Sequence, residues 1–361
     1  MRFGCLLLCL LLLACGDDSA SVDSGVDSSA PDSGVDADTD AGTDAGVSRE
    51  FEFGDPPIDP GVPVQFATVA YGDNPAQLID VWVPESEAPT AMVVFFHGGG
   101  FVGGSRESGH AGEAVMLRSL LAAGVAWAGV DYRFLTDPSS NGVRSSLEDS
   151  RRGLQFLRFH AETLNIDPTR IGLVGGSAGA GTSLWLALHD EMADPDDPDP
   201  VARMSTRASV VTVWETQATY DLLRWPSDVF SPTHPMTAED LVENPGLAAQ
   251  AALFYGLPLT LASDPEGLLE ALRADDLTTY REGVDMLALM SSDDPPLYVF
   301  NADENIAPGE GGFDILHHPL HAMALRARAE EEGVPFEGLI PAFEVSSETG
   351  TVEHLLNVLT P

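Results

Sequence analysis

A serine set between glycines follows a short apolar run in the middle of the chain. Residues 171–179 read IGLVGGSAG, so Ser177 stands in a G-x-S-x-G pattern between Gly175 and Gly179. A nucleophile elbow needs small residues at these places, because its strained turn brings two chain segments close together. G-x-S-x-G also occurs by chance, but here a strand pattern precedes it and a helical pattern follows. The context predicts a serine nucleophile at a helix N-terminus.

A second apolar run ends in three glycines. Residues 93–101 read VVFFHGGGF, and glycines let backbone N–H groups approach a substrate carbonyl closely. Together with the amide of Ala178, such donors would form an oxyanion hole. His97 could act as a base, but its place at a strand end before the glycines favours a role in ordering the loop.

These motifs carry a resemblance to a known family. HGGGF, then Asp131-Tyr132-Arg133 and then GGSAGAG resemble hormone-sensitive-lipase-like esterases and the related bacterial carboxylesterases and feruloyl esterases. The resemblance covers residues 64–190 well and 295–358 more loosely. It implies hydrolysis of acyl esters with no metal or organic cofactor. It also implies Ser177 as nucleophile and Gly99 and Gly100 as oxyanion donors.

The general base is expected late in the chain, because the order in this fold is nucleophile, acid, histidine. Residues 349–356 read TGTVEHLL, and the family keeps its base in a short loop after the last strand. We therefore predict His354 as the base. The alternative is a surface histidine beside a C-terminal helix, and only seven residues follow His354.

The acid of the triad is harder to assign. The family places it three residues after a small residue that ends the seventh strand, which in strict register gives Asn305. An asparagine cannot stabilise an imidazolium as a carboxylate does. Because the loop at 307–313 could shift the register, we predict Asp303, with Glu304 and Asp314 as alternatives.

A histidine cluster, His317, His318 and His321, offers a second chemistry. His317 and His321 are four residues apart and could share a helix face as metal ligands. Pro319 lies between them and would have to occupy the first turn of that helix. With no further ligand evident, a helix start packed beside the active-site loop is the favoured interpretation, and no metal is expected.

Strand and helix patterns alternate from residue 66 onward, as in a mostly parallel sheet covered by helices. The pattern predicts an α/β-hydrolase fold with eight strands, helices on both faces and a helical insertion of about 220–291 before the seventh strand. The predicted strands are 66–71, 78–83, 92–96, 125–130, 171–174, 208–214, 297–300 and 337–345. Helices are predicted at 113–123, 147–164, 178–190 and 316–332.

The N-terminus has a different composition. Residues 1–14 contain a short apolar run ending in Leu-Leu-Ala before Cys15, which resembles a bacterial lipoprotein signal with Cys15 as the lipidated residue. An ordinary cleaved signal is the alternative. Residues 15–50 are rich in Asp, Ser and Gly, which predicts a disordered tether. Residues 51–361 would form the hydrolase domain, on an exported chain anchored in the bacterial cell envelope.

Net charge limits the partners. The 361-residue chain carries a formal charge of −40 with 17 basic residues, which argues against nucleic acid as a partner. The expected partners are a small-molecule ester and, through the lipid anchor, a membrane. Serine carboxylesterase is the predicted function. An amidase, formamidase or peptidase on the same fold, or an inactive binding protein, are the alternatives.

Overall fold

A computed structural model of the protein describes residues 51–230, 235–303 and 315–360. Its centre is an eight-stranded sheet in the order β1-β2-β4-β3-β5-β6-β7-β8. The β1–β2 and β2–β4 pairs are antiparallel, and all other pairs are parallel. The strands are β1 Val64–Ala70, β2 Leu78–Pro84, β3 Thr90–Phe96, β4 Ala126–Val130, β5 Ile166–Gly176, β6 Val210–Trp214, β7 Leu297–Phe300 and β8 Phe336–Leu339. The predicted fold class is confirmed.

Helices cover both faces of this sheet. They are α1 Glu107–Ala111, α2 Ala114–Ala122, α3 Val143–Phe159, α4 Ala178–Leu188, α5 Ala238–Glu243, α6 Pro245–Phe254, α7 Pro265–Arg273, α8 Asp275–Glu282, α9 Met286–Leu289, α10 Pro319–Glu332 and α11 Thr351–Leu359. The central strands β3 and β4 are buried along their whole length, because a parallel sheet with helices on each side excludes water from both faces.

Alternate residues of the central strands enter two separate cores. Val94 and Phe96 of β3 pack in one core with Leu184 of α4. Val93 and Phe95 pack in the other core, which includes residues of α2 and α11. Since successive side chains of a strand point to opposite faces, α4 and α11 lie on opposite faces of the sheet.

The predicted insertion between β6 and β7 is helical. Among its described residues it holds α5 to α9 and three further turns: 3₁₀ turns at Leu222–Arg224 and Leu259–Ser263, and a π-helical turn at Trp225–Val229. Side chains define where these helices begin: Thr237 and Asp240 form a capping box at α5, and the Asn244 side chain accepts bonds from two amides at the start of α6. Tyr280 donates to Phe254 O at 3.0 Å and ties α8 to the end of α6.

The last strand is shorter than its sequence predicts. Residues 337–345 were expected to form one strand, but β8 ends at Leu339. A 3₁₀ turn at Pro341–Phe343 follows, Glu344 has a φ of 56°, and Ile340 pairs back with Val345. The chain therefore leaves the sheet six residues before the predicted end of the strand, and α11 follows at residues 351–359.

The N-terminal predictions concern a part of the chain outside the described residues. The signal at 1–14, the lipidated Cys15 and the tether at 15–50 all lie there and stay predictions. Across 51–230, 235–303 and 315–360, no helix has both the length and the apolar character needed to cross a membrane.

Candidate active site

Ser177 sits on the turn that joins β5 to α4. Its φ of 53° and ψ of −119° lie outside the ordinary regions for a residue with a side chain. The turn is held by the bond from Ser177 N to Trp214 O, 3.0 Å, and by that from Gly181 N to Ser177 O, 3.0 Å. A Cβ on Gly179 would collide with the carbonyl oxygen of Phe96. Glycine is therefore required for the close approach of α4 to β3, as the motif predicts.

The glycine loop after β3 lies beside this turn. A Cβ on Gly98 would stand 3.5 Å from Cβ of Ser177 and 2.9 Å from Gly176 O. Gly99 and Gly100 have φ of 112° and 61°, conformations that glycine adopts without strain. Gly99, Gly100, Ser177 and Ala178 all line one cavity, so the predicted oxyanion donors and the serine are brought together.

His97 orders the glycine loop. It is fully buried, its Nδ1 lies 2.8 Å from Gly98 O, and its ring stacks on Tyr132 at 4.2 Å between centroids. Tyr132 also donates to His97 O at 2.6 Å. Burial lowers the pKa of His97, so the neutral ring is favoured. These contacts agree with the ordering interpretation of His97 over a role as base.

A partly buried ion-pair network connects the end of the glycine loop to the neighbouring strands. Arg106 donates to Asp131 Oδ2 at 2.6 Å and to Asp80 Oδ1 at 2.9 Å. His110 Nε2 lies 3.1 Å from the other oxygen of Asp80. Arg106, which follows the glycine loop, is thus joined to β2 through Asp80 and to the end of β4 through Asp131.

The imidazole beside the serine belongs to His317. Its Nε2 lies 2.8 Å from Ser177 Oγ. His317 stands in the connection from β7 to α10, two residues before the helix begins at Pro319. Because the carboxyl ends of parallel strands meet at one edge of a sheet, a connection leaving β7 reaches the turn that leaves β5.

His354 is not at this site, which corrects our prediction. It lies within α11, 4% exposed, and its Nδ1 is 3.0 Å from Thr212 Oγ1 of β6. Burial lowers its pKa, against an opposing effect of the Glu337 charge. The prediction assumed a loop after a long β8. The helix α11 begins at Thr351, before the predicted base, so His354 lies in a helix that covers the sheet face opposite α4.

The backbone that carries His317 is fixed by three side chains from three elements. Gln217 donates to Leu316 O at 2.6 Å, and Asn301 donates to His317 O at 2.8 Å. His321 Nε2 lies 3.0 Å from Ile315 O. The carbonyls of residues 315, 316 and 317 therefore each meet a buried side-chain partner.

The predicted acid lies at the end of β7. The backbone N–H of Asp303 donates to Asn301 Oδ1 at 3.0 Å, which places Asp303 two residues past the side chain that binds His317 O. The alternatives Glu304 and Asp314, and Asn305 of the strict register, lie outside the described residues. The identity of the acid stays a prediction.

The histidine cluster is used in three ways. His317 faces Ser177, and the His318 side chain accepts from Leu320 N at the start of α10. His321 Nδ1 accepts from Ala218 N at 3.1 Å. Within the described ranges, no group of three or more His, Cys, Asp or Glu side chains is arranged around a metal position. The start of α10 does lie beside Ser177, through His317.

A mainly apolar cavity of about 320 Å³ opens onto the serine. The insertion supplies most of its wall, through Leu223, Trp225, Leu241, Ala251, Phe254 and Leu272. Two of its polar side chains are already bonded to backbone, since Tyr220 donates to Ala178 O at 3.2 Å and Gln217 to Leu316 O. Apart from His317 and the phenol of Tyr220, no ionisable side chain is among the described lining residues.

The sequence did contain a signal for His317. Proline is favoured at the first position of a helix and holds the preceding residue extended, and His318 has φ and ψ of −60° and 135°. Pro319 therefore starts α10 and leaves His317 in the connection at the carboxyl edge. We did not predict an imidazole beside Ser177 from this connection, because the family order places the base after the last strand.

The sheet order and a serine on a strand–turn–helix elbow beneath a glycine loop define an α/β-hydrolase. The BD-FAE family model matches residues 79–260, which is half of the chain. The chain belongs to the BD-FAE family.

Curated relatives match about a third of the chain. A probable isoprenylcysteine alpha-carbonyl methylesterase of Oryza sativa is 29% identical over 133 residues, 37% of this chain and 30% of the relative. Esterase LipC of Mycobacterium tuberculosis is 36% identical over 124 residues, 33% of this chain and 29% of the relative. The chain thus spans under a third of the length of these relatives.

Solved structures extend the likeness over more of the chain. A truncated carbohydrate esterase from gut microbiota superposes with a TM-score of 0.52 and 16% identity, covering 75% of this chain and 85% of that one. A thermophilic esterase of Thermogutta terrifontis gives a TM-score of 0.50 and 17% identity, covering 78% and 81%. At such identities the likeness shows the fold.

Proposed function

We propose that this protein is a serine carboxylesterase, with Ser177 as nucleophile and His317 as general base. The observation that carries the proposal is the 2.8 Å distance between Ser177 Oγ and His317 Nε2 at the mouth of an apolar cavity. A nucleophile and a base within hydrogen-bond reach are the first requirement of acyl transfer. The esterases among the curated relatives support the same reaction class.

The geometry supports a two-step reaction. His317 takes the proton of Ser177 as Oγ attacks the ester carbonyl, and the alkoxide character of the carbonyl oxygen is met by amides of Gly99, Gly100 and Ala178. His317 then returns the proton to the leaving alcohol, which leaves an acyl-enzyme. Water adds to the acyl group with His317 again as base, and Ser177 is released.

The cavity indicates the kind of ester. A bound group would lie against leucine, alanine and aromatic side chains, where burial of apolar surface contributes roughly 25 cal/mol per Å². An acidic or basic substituent would lose its hydration with no partner of opposite charge among the described lining residues. We therefore infer an uncharged ester with one apolar substituent that fills the cavity.

The test is labelling and turnover of matched variants. Ser177→Ala should abolish hydrolysis of p-nitrophenyl butyrate and labelling by a fluorophosphonate. His317→Ala should lower kcat/KM roughly 10³-fold or more. His354→Ala serves as the control, since it removes a buried histidine away from the serine, and should keep kcat within about threefold of wild type. Full activity in His317→Ala would overturn the assignment of the base.

Cell location is a separate proposal. The Leu-Leu-Ala-Cys sequence at 12–15 supports lipidation of Cys15 and attachment to the bacterial envelope. Cys15→Ser should move the protein from the membrane fraction to the soluble fraction of a bacterial host. Membrane association that is unchanged in this variant would contradict lipidation at Cys15.

A further inference from the structure

We propose that Gln217, Asn301 and His321 act together as a carbonyl clamp, a set of positioning residues that hold His317 within reach of Ser177. This inference rests on the proposed function of His317 as base. It gives three residues a role in positioning the base that neither the motifs nor the family resemblance indicates. None of the three bonds the imidazole of His317; each bonds the backbone that carries it.

The connection needs such support because it belongs to neither a strand nor a helix. Carbonyls inside a helix or sheet are bound by the backbone ladder, whereas those of 315–317 precede the first residue of α10. Side chains provide the partners instead, at 3.0, 2.6 and 2.8 Å in chain order. Three consecutive carbonyls fixed in this way leave the backbone at residue 317 little freedom.

The donors themselves are well fixed. Gln217 is 7% exposed, Asn301 1% and His321 0%. In surroundings this dry, a donor or acceptor without a partner is strongly disfavoured. The donors also come from different parts of the fold, after β6, after β7 and within α10, so the clamp fixes the base to the sheet and to its own helix.

His321 adds a constraint on protonation. Its Nδ1 accepts the N–H of Ala218, so the proton is on Nε2, which donates to Ile315 O. Ala218 follows Gln217, and thus two of the three bonds share one backbone segment. The His321 ring also contacts Trp225, a wall of the cavity, at 4.8 Å between centroids. Base and substrate cavity are thereby fixed to the same framework.

Small displacements of a base have large effects on rate. A misplacement of about 1 Å can cost about 10²-fold, because proton transfer needs an aligned hydrogen bond. Loss of a clamp bond should therefore lower kcat while the cavity still binds substrate. A residue that only stabilises the fold would lower the melting temperature and leave kcat per active site unchanged.

The experiment compares Gln217→Met and Asn301→Leu with Gln155→Met. Met and Leu keep much of the side-chain volume but have no N–H donor. Gln155 is the matched control: it is 2% exposed and donates to Ala202 O and Met204 O at 2.9 and 2.7 Å, away from the serine. Active sites are counted by fluorophosphonate titration, and kcat and KM for p-nitrophenyl butyrate are measured from pH 5 to 9.

We expect the two clamp variants to lose roughly 10- to 100-fold in kcat, with KM within about threefold of wild type. Gln155→Met should lower the melting temperature yet keep wild-type kcat per active site. His321→Gln, which retains a donor near Nε2, should be more active than His321→Leu. Gln217 lies on the cavity wall. If Asn301→Leu does not fold, Gln217→Met alone therefore provides the test.

Wild-type kcat per active site in both clamp variants would overturn the inference. The activity of His317→Ala separates this failure from failure of the proposed function. An inactive His317→Ala beside active clamp variants leaves His317 as the base and removes the clamp. An active His317→Ala removes both, since there would be no base at 317 to position.

Discussion

His317 and His354 differ in what surrounds each imidazole. His317 is half-buried, lines the cavity and meets a serine hydroxyl. His354 is enclosed by α11 and the sheet, meets the hydroxyl of Thr212, and its ring lies 5.4 Å from that of Tyr298. The first setting allows exchange of a proton with a bound ester, and the second favours the neutral form of a ring that contributes to packing.

The pH dependence of stability should report this difference. Burial lowers the pKa of His354 in the folded protein, while an unfolded histidine titrates near about 6.5. Unfolding therefore takes up a proton below that pH, and the stabilising contribution of neutral His354 is lost as pH falls from about 6.5 toward the folded pKa.

We expect His354→Gln, which has no titration there, to lose less stability than wild type between pH 7.5 and 5.5. The free energy of unfolding, from urea titrations at both pH values, measures this. Each unit of pKa difference corresponds to about 1.4 kcal/mol. Parallel pH profiles for wild type and variant would show that His354 does not contribute.

At the scale of elements, the glycine loop requires a backbone conformation at Gly99 that a substitution can test. Gly99 has a φ of 112°, and a Cβ there would collide with Gly103 O. Gly103 has nothing within 4 Å of its own Cβ position. Gly99→Ala should displace the loop amides and lower kcat roughly 10²- to 10³-fold, the cost of losing an oxyanion donor.

Gly103→Ala is the matched control within the same loop and should keep near-normal kcat. Both variants are measured on p-nitrophenyl butyrate with active sites titrated. Equal activity of the two would mean that the Gly99 conformation does not matter for the oxyanion hole.

Elements were predictable where local pattern and burial agree. All eight strands were found, because apolar runs bounded by turns are the signature of covered parallel strands. The end of β8 was missed because the residues after Leu339 are also compatible with a strand, and only tertiary contacts make Ile340 pair back with Val345. The start of α11 at Thr351 was missed as well, which places His354 in a helix instead of a loop.

The site was predictable where chemistry is local to a motif. Ser177, Gly99, Gly100 and Ala178 come from two short sequences, each carrying its own turn geometry, and the structure brings them together. His317 is 140 residues from Ser177 in sequence, and no spacing rule connects them. The family order predicts the base after β8. The start of α10 at Pro319 instead indicates that His317 lies in the connection between β7 and α10.

For the whole molecule, the insertion decides how much space an ester has. Ala251 lies in α6, is buried, and lines the cavity. Ala251→Leu adds three carbons to the cavity wall. If the cavity holds the acyl group, the preferred p-nitrophenyl ester should shift toward shorter acyl chains. If it holds the alcohol group, the preferred acetate ester should shift toward smaller alcohols. Which series responds identifies the part of the ester that the cavity holds.

Leu259→Phe provides the control, because Leu259 is in the same insertion but 53% exposed and does not line the cavity. Its chain-length profile should match wild type. A profile for Ala251→Leu that is also unchanged would mean that the cavity does not hold the substituent that varies.

The overall charge should act on substrates before they bind. A net charge of −40 creates a field that repels anions and attracts cations over about 10 Å at 0.1 M salt. For an ester of a dicarboxylic acid that keeps one free carboxylate, kcat/KM should rise as NaCl increases from 10 to 500 mM. For a neutral ester of the same length it should change little, and a similar response from both would rule out steering by charge.

The early position of His317 has a consequence for the C-terminal part of the chain, from β8 to α11. If nucleophile and base both precede residue 320, the chain from β8 to α11 contributes shape and apolar area, with no atom that meets substrate. Selection for activity would then act on positions such as His354 and Leu355 only through stability. In a saturation library screened for ester hydrolysis, position 354 should accept several uncharged residues of similar volume, whereas position 317 should accept histidine alone. Mutational tolerance would thus mark a boundary in the chain, between the part that carries out the reaction and the part that completes the fold.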